Sequence, residues 1–178
     1  MQTIERNQAF ELASPFPYVL ATVLTPDGRP NAIGLGWWTF TSWEPLHLAI
    51  SVGHKKFSHE CLEHSGEFVL NFPSAGMARG AWLCGTKSGR GMDKLVEGDL
   101  ATLPSTVVKP PTLADATVAY EVKVHTKVPT GDHTLYLGEV VAIRGNPELP
   151  AHLYSIHYKR LIALGADGSA DWDLTHRG

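Results

Sequence analysis

The sequence predicts a mainly β fold, a β-barrel with short α-helical insertions, in a single domain of 178 residues. Glycine (17 residues) and proline (12 residues) are frequent, which favours many short elements joined by tight turns. About six segments have the composition or the alternating pattern of β-strands, and two shorter stretches have a helical pattern. A doubly wound α/β sheet needs a helix between most of its strands, and the sequence lacks such helices.

The first two predicted strands form a hairpin. Residues 18–25 are rich in β-branched and aromatic side chains and are followed by the turn sequence Pro-Asp-Gly-Arg at 26–29. The returning strand is predicted over residues 31–41. It contains Gly34 and Gly36, and glycines inside a strand are typical of a bulge or of a place where a ligand approaches the backbone.

The middle of the chain mixes strand and helix patterns. A third strand is predicted over residues 46–52, and the apolar spacing then changes to a helical period over 56–65. Ser58 is predicted to cap the N-terminus of that helix. A further strand is predicted over 67–72, and residues 74–98 are predicted to be helical or irregular.

The C-terminal half contains the clearest hairpin of the sequence. Residues 117–128 alternate between apolar and polar side chains, and a Pro-Thr-Gly-Asp turn leads into a second strand over 133–144. Residues 104–111 are predicted to be an extended connection, and 153–164 to add a short strand. The predicted domain covers residues 1–165, and residues 166–178 are predicted to form a polar, loose tail.

Composition and charge argue against several classes of function. Lys and Arg number 15 against 18 Asp and Glu, so the net charge of −3 gives no basic footprint for nucleic acid. The sequence contains no run of about 18 apolar residues, the length that could span a membrane. The first residues also lack the apolar core of a secretory signal, so a cytoplasmic protein is predicted. The two cysteines, Cys61 and Cys84, cannot build a disulfide framework or a four-cysteine zinc site.

Three patterns resemble known catalytic motifs but have the wrong spacing. His59 and His64 are five residues apart, whereas a zincin helix places its two histidines four apart, so no metal site is predicted. Residues 80–88 differ from a phosphate-binding P-loop by one extra residue before the lysine. Gly34 and Gly36 lack the third glycine of a dinucleotide-binding fingerprint.

Two features suit a planar, anionic ligand. Residues 53–58 place two lysines and Ser58 at a strand-to-helix junction, where helix N–H groups and ammonium groups favour a phosphate. The alternative is a pair of solvated lysines with a serine cap. Trp37 and Trp38 beside Gly36 offer aromatic surface and open backbone to a flat ring. The alternative there is one tryptophan in the core and one at a dimer contact.

A series of short motifs follows in order along the chain: Asn31-Ala32, Gly36-Trp37-Trp38-Thr39, Ser42-Trp43-Glu44-Pro45, Lys56-Phe57-Ser58, Gly66-Glu67-Phe68-Val69, Cys84-Gly85, Ser88-Gly89-Arg90, Asp93-Lys94 and Gly131-Asp132-His133. Over about residues 15–165 the sequence thereby resembles the flavin reductase-like proteins, a family of FMN-binding split β-barrels that includes flavoredoxin. The chain has Gly36 where the family has a serine, Lys56 where it has an arginine, and Ser58 where it has a threonine.

The resemblance implies a homodimeric split barrel that binds one FMN per subunit, with FAD as the alternative flavin. It implies that Lys56 and Ser58 hold the phosphate, and that His133 lies near the flavin or the nicotinamide and is the candidate catalytic residue. The remaining residues that it implies around the cofactor are Asn31, Gly36, Trp37, Trp38, Thr39, Ser51, Ser88, Gly89 and Lys94.

The implied activity is hydride transfer from NAD(P)H to flavin, followed by electron delivery to an acceptor. The acceptor is a flavin-dependent monooxygenase that takes the diffusing reduced flavin, or a redox protein served by a retained flavin. The sequence leaves these two versions open. A non-catalytic split barrel that binds flavin or another ligand is the alternative from a different class.

Overall fold

A computed structural model describes residues 1–149, 151–172 and 174 of the chain. The strands in these residues are β1 (Phe16–Pro17), β2 (Val19–Leu24), β3 (Pro30–Leu35), β4 (Trp38–Ser42), β5 (His47–Gly53), β6 (Glu67–Pro73), β7 (Thr102–Leu103), β8 (Thr112–Leu113), β9 (Ala116–Thr130), β10 (His133–Gly145), β11 (Ala151–Ile156), β12 (Arg160–Gly165) and β13 (Ala170–Asp171). The α-helices are α1 (Arg6–Leu12), α2 (Phe57–Ser65), α3 (Ala78–Thr86) and α4 (Lys94–Glu97).

The main sheet has seven antiparallel strands in the order β3-β2-β6-β9-β10-β5-β4. Its two edge strands, β3 and β4, are consecutive in the chain and are joined only by residues 36–37. A second sheet has the order β1-β11-β12-β13, and β7 pairs with β8. The fold is therefore mainly β with helical insertions between β5 and β7, as the sequence predicts.

Both faces of β2 are buried, and this strand separates two hydrophobic cores. Val19, Ala21 and Val23 pack into one core with side chains of β5, β6 and α2. Tyr18, which precedes β2, and Leu20, which lies between Val19 and Ala21, pack into the other core with side chains of α3, α4, β11 and β12. Because successive side chains of a strand point to opposite faces, one strand supplies both cores.

The long hairpin is confirmed, and two predicted strands are each divided. β9 and β10 pair from His133 opposite Thr130 to Gly145 opposite Val118. The predicted strand 31–41 is two strands, because β3 pairs with β2 at one edge of the sheet and β4 pairs with β5 at the other. The predicted strand 153–164 is β11 and β12, which pair with each other in a second hairpin.

The predicted loose tail takes part in the fold where it is described. β13 pairs with β12, and Leu174 is buried in the core that also contains Leu161. Residue 173 and residues 175–178 of the predicted tail lie outside the described residues. Among the described residues, no helix combines the length and the apolar composition that crossing a membrane requires.

Residues 104–111 are not extended, because they bend around one buried carboxylate. Glu121 on β9 is fully buried and accepts hydrogen bonds from the backbone N–H groups of Thr106 (2.7 Å), Val107 (2.6 Å) and Val108 (3.1 Å). Burial disfavours the charged carboxylate, but the three donors favour it more, and the net effect lowers the pKa of Glu121. The loop conformation thus depends on a charge that lies outside the loop.

We expect Glu121→Gln to lower the free energy of unfolding by about 2 kcal/mol, because an amide replaces a charged acceptor of three N–H groups. A lowered native pKa adds stability above the ordinary value of 4.5, and this stability is lost as the pH falls through the native pKa. Urea unfolding at several pH values should therefore show the difference between wild type and variant shrinking in acid. Glu139→Gln, at an exposed position of β10, is the control, and a difference that is independent of pH would contradict the assignment.

Candidate functional site

Two adjoining cavities lie where β3, β5, α2 and the residues after α3 come together. The inner cavity, of about 230 Å³, is lined by Ile33, Lys55, Lys56, Phe57, Ser58, Cys84, Gly85, Thr86, Lys87, Ser88, Gly89 and Lys94. The outer cavity, of about 280 Å³, is lined by Ile33, Gly34, Leu35, Gly36, Trp37, Ser51, Gly53, Lys56, His133 and Tyr158. Ile33 and Lys56 line both cavities, so the two lie directly side by side.

The inner cavity is suited to an anion. Four lysines line it: Lys55, Lys56, Lys87 and Lys94. The nine-residue helix α2 begins at its rim with Lys56 as the N-cap residue, and the first turn of the helix leaves backbone N–H groups without intrahelical partners. Positive side chains and the positive end of a helix dipole together favour a phosphate group.

Ser58 does not cap α2. The N-cap residue is Lys56, which makes no side-chain cap bond, and Ser58 is buried in the first turn of the helix. Its Oγ accepts a hydrogen bond of 3.1 Å from Nδ2 of Asn31 on β3. Gly89 packs so closely on Asn31 that a Cβ at Gly89 would lie 2.2 Å from Oδ1 of Asn31. Asn31 therefore holds together the strand, the helix and the loop around the inner cavity, while Ser58 and Gly89 line it.

Lys94 is buried and ties the same loop to the end of α3. Its Nζ donates hydrogen bonds to the carbonyl oxygens of Cys84 (3.2 Å) and Lys87 (3.3 Å). Burial lowers the pKa of the Lys94 ammonium group. The carboxylate of Asp93 caps α4 by accepting hydrogen bonds from the backbone N–H groups of Leu95 and Val96, which fixes Lys94 at the start of that helix. An ammonium group has three N–H donors, so one remains beyond the two bonds to carbonyl oxygens.

The outer cavity has aromatic and imidazole walls. The ring of His133, at the start of β10, lies 4.9 Å from the Trp37 ring between centroids. His133 Nδ1 is 2.6 Å from Oδ1 of Asp132, and this contact lowers the pKa of the Asp132 carboxyl. A Cβ at Gly53 would lie 3.3 Å from Nε2 of His133, so the second ring nitrogen faces the strand backbone of the cavity. Ser51 donates its backbone N–H to the carbonyl oxygen of Trp37 at 2.9 Å.

Three of the predicted site residues line neither cavity: Asn31, described above, and Trp38 and Thr39. Trp38 packs edge-to-face on Phe72, with 5.0 Å between ring centroids, and its Nε1 donates to the carbonyl oxygen of Pro17 at 3.4 Å. Thr39 is exposed, and its hydroxyl donates to the backbone of Phe40. Trp38 packs against the core and the next residue of β4, Thr39, faces solvent, because successive side chains of a strand point to opposite faces. Trp37, which precedes β4, supplies the indole at the cavity.

The structure brings other residues to the site that the sequence analysis did not place there. Lys87 lies in the segment that resembles a P-loop, so its position beside glycines was the available indication. Tyr158 had no such indication, because it is 121 residues from Trp37, to which it is hydrogen-bonded. Cys84 also lines the inner cavity, and burial raises the pKa of its thiol to about 11, so it is protonated at neutral pH.

Comparisons with known proteins show the family and the fold of the chain. Residues 12–161 match a family model described as a flavin reductase like domain. An uncharacterized protein of Archaeoglobus fulgidus is 31% identical over 144 residues, which are 80% of this chain and 81% of the relative.

Two solved structures are similar in fold. A crystal structure of an FMN-binding protein from Thermus thermophilus with bound p-hydroxybenzaldehyde has a TM-score of 0.77 and 25% identity, covering 88% of this chain and 91% of that chain. Flavoredoxin of Desulfovibrio vulgaris has a TM-score of 0.72 and 22% identity, covering 89% of this chain and 87% of that chain. Both align over nearly the whole domain, so the split-barrel fold is shared along most of the chain.

Proposed function

Because the chain belongs to the flavin reductase-like domain family, we propose that it is an FMN-binding oxidoreductase. In this proposal each subunit binds one FMN, with FAD as the alternative flavin, and the protein takes electrons from NADH or NADPH. It delivers them to an acceptor, which is a flavin-dependent monooxygenase or a redox protein. Oxidoreductase activity is the general part of the proposal, and the nicotinamide donor and the acceptor are the specific parts.

The observation that carries the proposal is that the two adjoining cavities differ in their chemical character. The inner cavity has four lysines and a helix start, which suit a phosphate. The outer cavity has backbone at Gly34, Gly36 and Gly53 and the rings of Trp37 and His133, which suit a flat ring system. A phosphate and a flat ring joined by a short chain are the parts of FMN. The donor set of the chain therefore fits this cofactor.

The residues of the chain would bind and orient the cofactor, whose chemistry when bound is hydride acceptance and electron transfer. Lys56 and Ser58 would contact the phosphate at the start of α2. Lys94 has one N–H to offer in the inner cavity, held in place by its two bonds to carbonyl oxygens. His133 would contact the nicotinamide through Nε2, because Nδ1 is engaged with Asp132.

The Thermus thermophilus protein supports the choice of flavin, because it is described as FMN-binding and is 25% identical to this chain. It was crystallised with an aromatic aldehyde, so one similar protein holds a small aromatic carbonyl compound. We extend the FMN to this chain as part of the proposal.

We also propose that the protein is a homodimer. Strand β4 is an edge of the seven-stranded sheet, and Phe40 on it and Trp43 beyond it are 44% and 88% exposed. Large apolar side chains at an open sheet edge favour association with another chain. Light scattering after gel filtration should give twice the mass of one chain, and a monomer mass at micromolar concentration would contradict the proposal.

The proposed function is tested by the visible absorbance spectrum of the purified protein, before and after anaerobic addition of NADH. We expect flavin bands, present on purification or after adding FMN, that bleach when NADH is added. Flavin bands that do not bleach with NADH or NADPH would indicate a non-catalytic flavin-binding protein. A protein that does not bind added FMN would overturn the proposal.

We expect Lys56→Ala to weaken FMN binding by about 1–3 kcal/mol, or roughly 5- to 150-fold in Kd, because one charge-assisted contact to the phosphate is lost. Fluorescence titration of the apoprotein with FMN measures the change. Riboflavin has no phosphate, so its affinity should be the same for the variant and the wild type. Lys109→Ala removes an exposed lysine on the distant 104–111 loop and serves as the control. An unchanged Kd for FMN in Lys56→Ala would refute the phosphate assignment.

We expect His133→Ala to raise the KM for NADH about tenfold while FMN stays bound, because the imidazole would contact the nicotinamide. Steady-state kinetics with saturating FMN give the KM, and gel filtration of the loaded protein gives the retention. His125→Ala removes an exposed imidazole from β9 as a matched control. Loss of FMN in His133→Ala would instead assign this side chain to the flavin.

A further inference from the structure

Tyr158 stands between the outer cavity and a third cavity. The third cavity, of about 360 Å³, is lined by Asn7, Phe10, Glu11, Trp37, His157, Tyr158 and Lys159. Trp37 and Tyr158 line both this cavity and the outer cavity, so these two side chains, together called the partition, separate the two cavities.

The partition is held by several contacts. Nε1 of Trp37 donates a hydrogen bond of 2.9 Å to the hydroxyl of Tyr158. The Tyr158 ring stacks on Phe16, with 5.7 Å between centroids, and the Trp37 ring lies between those of Phe10 and His133. These contacts orient the side chain of Tyr158, of which 41% remains exposed.

The backbone at Tyr158 is strained. His157 and Tyr158, in the turn between β11 and β12, both have a φ of +54°. Residues other than glycine rarely adopt this left-handed conformation, which costs about 1 kcal/mol or more for a bulky side chain. The turn places the Tyr158 ring over the end of β3 in spite of this cost.

Gly36 is what allows the ring to come so close. A Cβ at Gly36 would lie 3.0 Å from Cε1 and 3.2 Å from the hydroxyl oxygen of Tyr158, which is tighter than ordinary contacts. The flavin reductase-like family has a serine at the position of Gly36, directly before the tryptophan. A Cβ here would require the ring to shift by a few tenths of an ångström, so Gly36 and Tyr158 form a matched pair.

We propose that Tyr158 is a residue that retains the flavin, and that Gly36 is the residue that makes room for it. This inference rests on the proposed function, since it assigns the outer cavity to the flavin ring. With the partition in place, the outer cavity is closed on the side of α1. Without it, the outer and third cavities merge, and the edge of the bound ring is open to solvent. The effect falls on the rate of dissociation more than on the rate of association.

The test is the dissociation rate of FMN, measured as the recovery of free flavin fluorescence after the loaded protein is diluted. We expect Tyr158→Asn to raise this rate about tenfold or more, because the ring is lost while asparagine tolerates the left-handed backbone. Tyr158→Phe keeps the ring and should stay within about threefold of wild type, since only one hydrogen bond is lost. Lys159→Ala alters the same turn but lines only the third cavity, and its rate should equal that of wild type.

A double-mutant cycle tests the matching of the pair. Gly36→Ser alone should raise the dissociation rate, because its Cβ displaces the ring of Tyr158. In the Tyr158→Asn background the same change should raise the rate by a clearly smaller factor, since the ring that the Cβ displaces is already absent. An equal effect in both backgrounds would mean that Gly36 acts on the flavin directly, and would overturn the matching.

The outcomes separate the two proposals. If the wild-type protein binds no FMN, the proposed function fails. If it binds FMN and Tyr158→Asn releases it at the wild-type rate, the role of Tyr158 is overturned and the proposed function stands. Equal thermal unfolding temperatures of Tyr158→Asn and Lys159→Ala would exclude a merely structural effect of the turn, and a fast release by both variants would contradict the inference.

Discussion

The burial of β2 on both faces is the constraint on which the rest of the structure depends. A strand that is fully buried must have a core on each side, and here one core is filled by α2 and the main sheet and the other by α3, α4 and the second sheet. Its partner β3 consequently runs to the sheet edge between α2 on one side and α3 with α4 on the other. The adjoining cavities lie at this edge, so the position of the site follows from the way in which the cores are divided.

Local sequence patterns predicted what depends on neighbours in the chain. The hairpin of β9 and β10 followed from its alternation and its Pro-Thr-Gly-Asp turn, and the lysines at the start of α2 followed from a strand that meets a helix. Long-range partners were the source of each difference. Ser58 looks like a cap in sequence, yet its partner is Asn31, 27 residues earlier. Residues 104–111 look extended in the sequence because nothing within the segment indicates a bend. The carboxylate around which they bend belongs to Glu121, which comes later in the chain.

The same distinction applies within the site. Residues 31, 56, 58, 88 and 89 belong to short motifs, and the structure gathers them around the inner cavity. Tyr158 belongs to no motif, and its ring reaches the site only because the second sheet packs against the first. Trp37 and Trp38 show what a motif does not predict. The two tryptophans are neighbours in the sequence, but their side chains point in opposite directions, so one lines the outer cavity and the other packs against the core.

The protonated thiol of Cys84 has a consequence for the electrostatics of the inner cavity. A thiolate at this position would cancel the positive charge of Lys94, whose Nζ is bonded to the carbonyl oxygen of the same cysteine. Because burial keeps the thiol of Cys84 neutral, this side chain fills part of the cavity wall and does not neutralise the positive charge of the neighbouring lysines. No thiolate of Cys84 therefore offsets the attraction of the lysines for an incoming anion, and this thiol is a poor nucleophile toward a bound redox-active molecule.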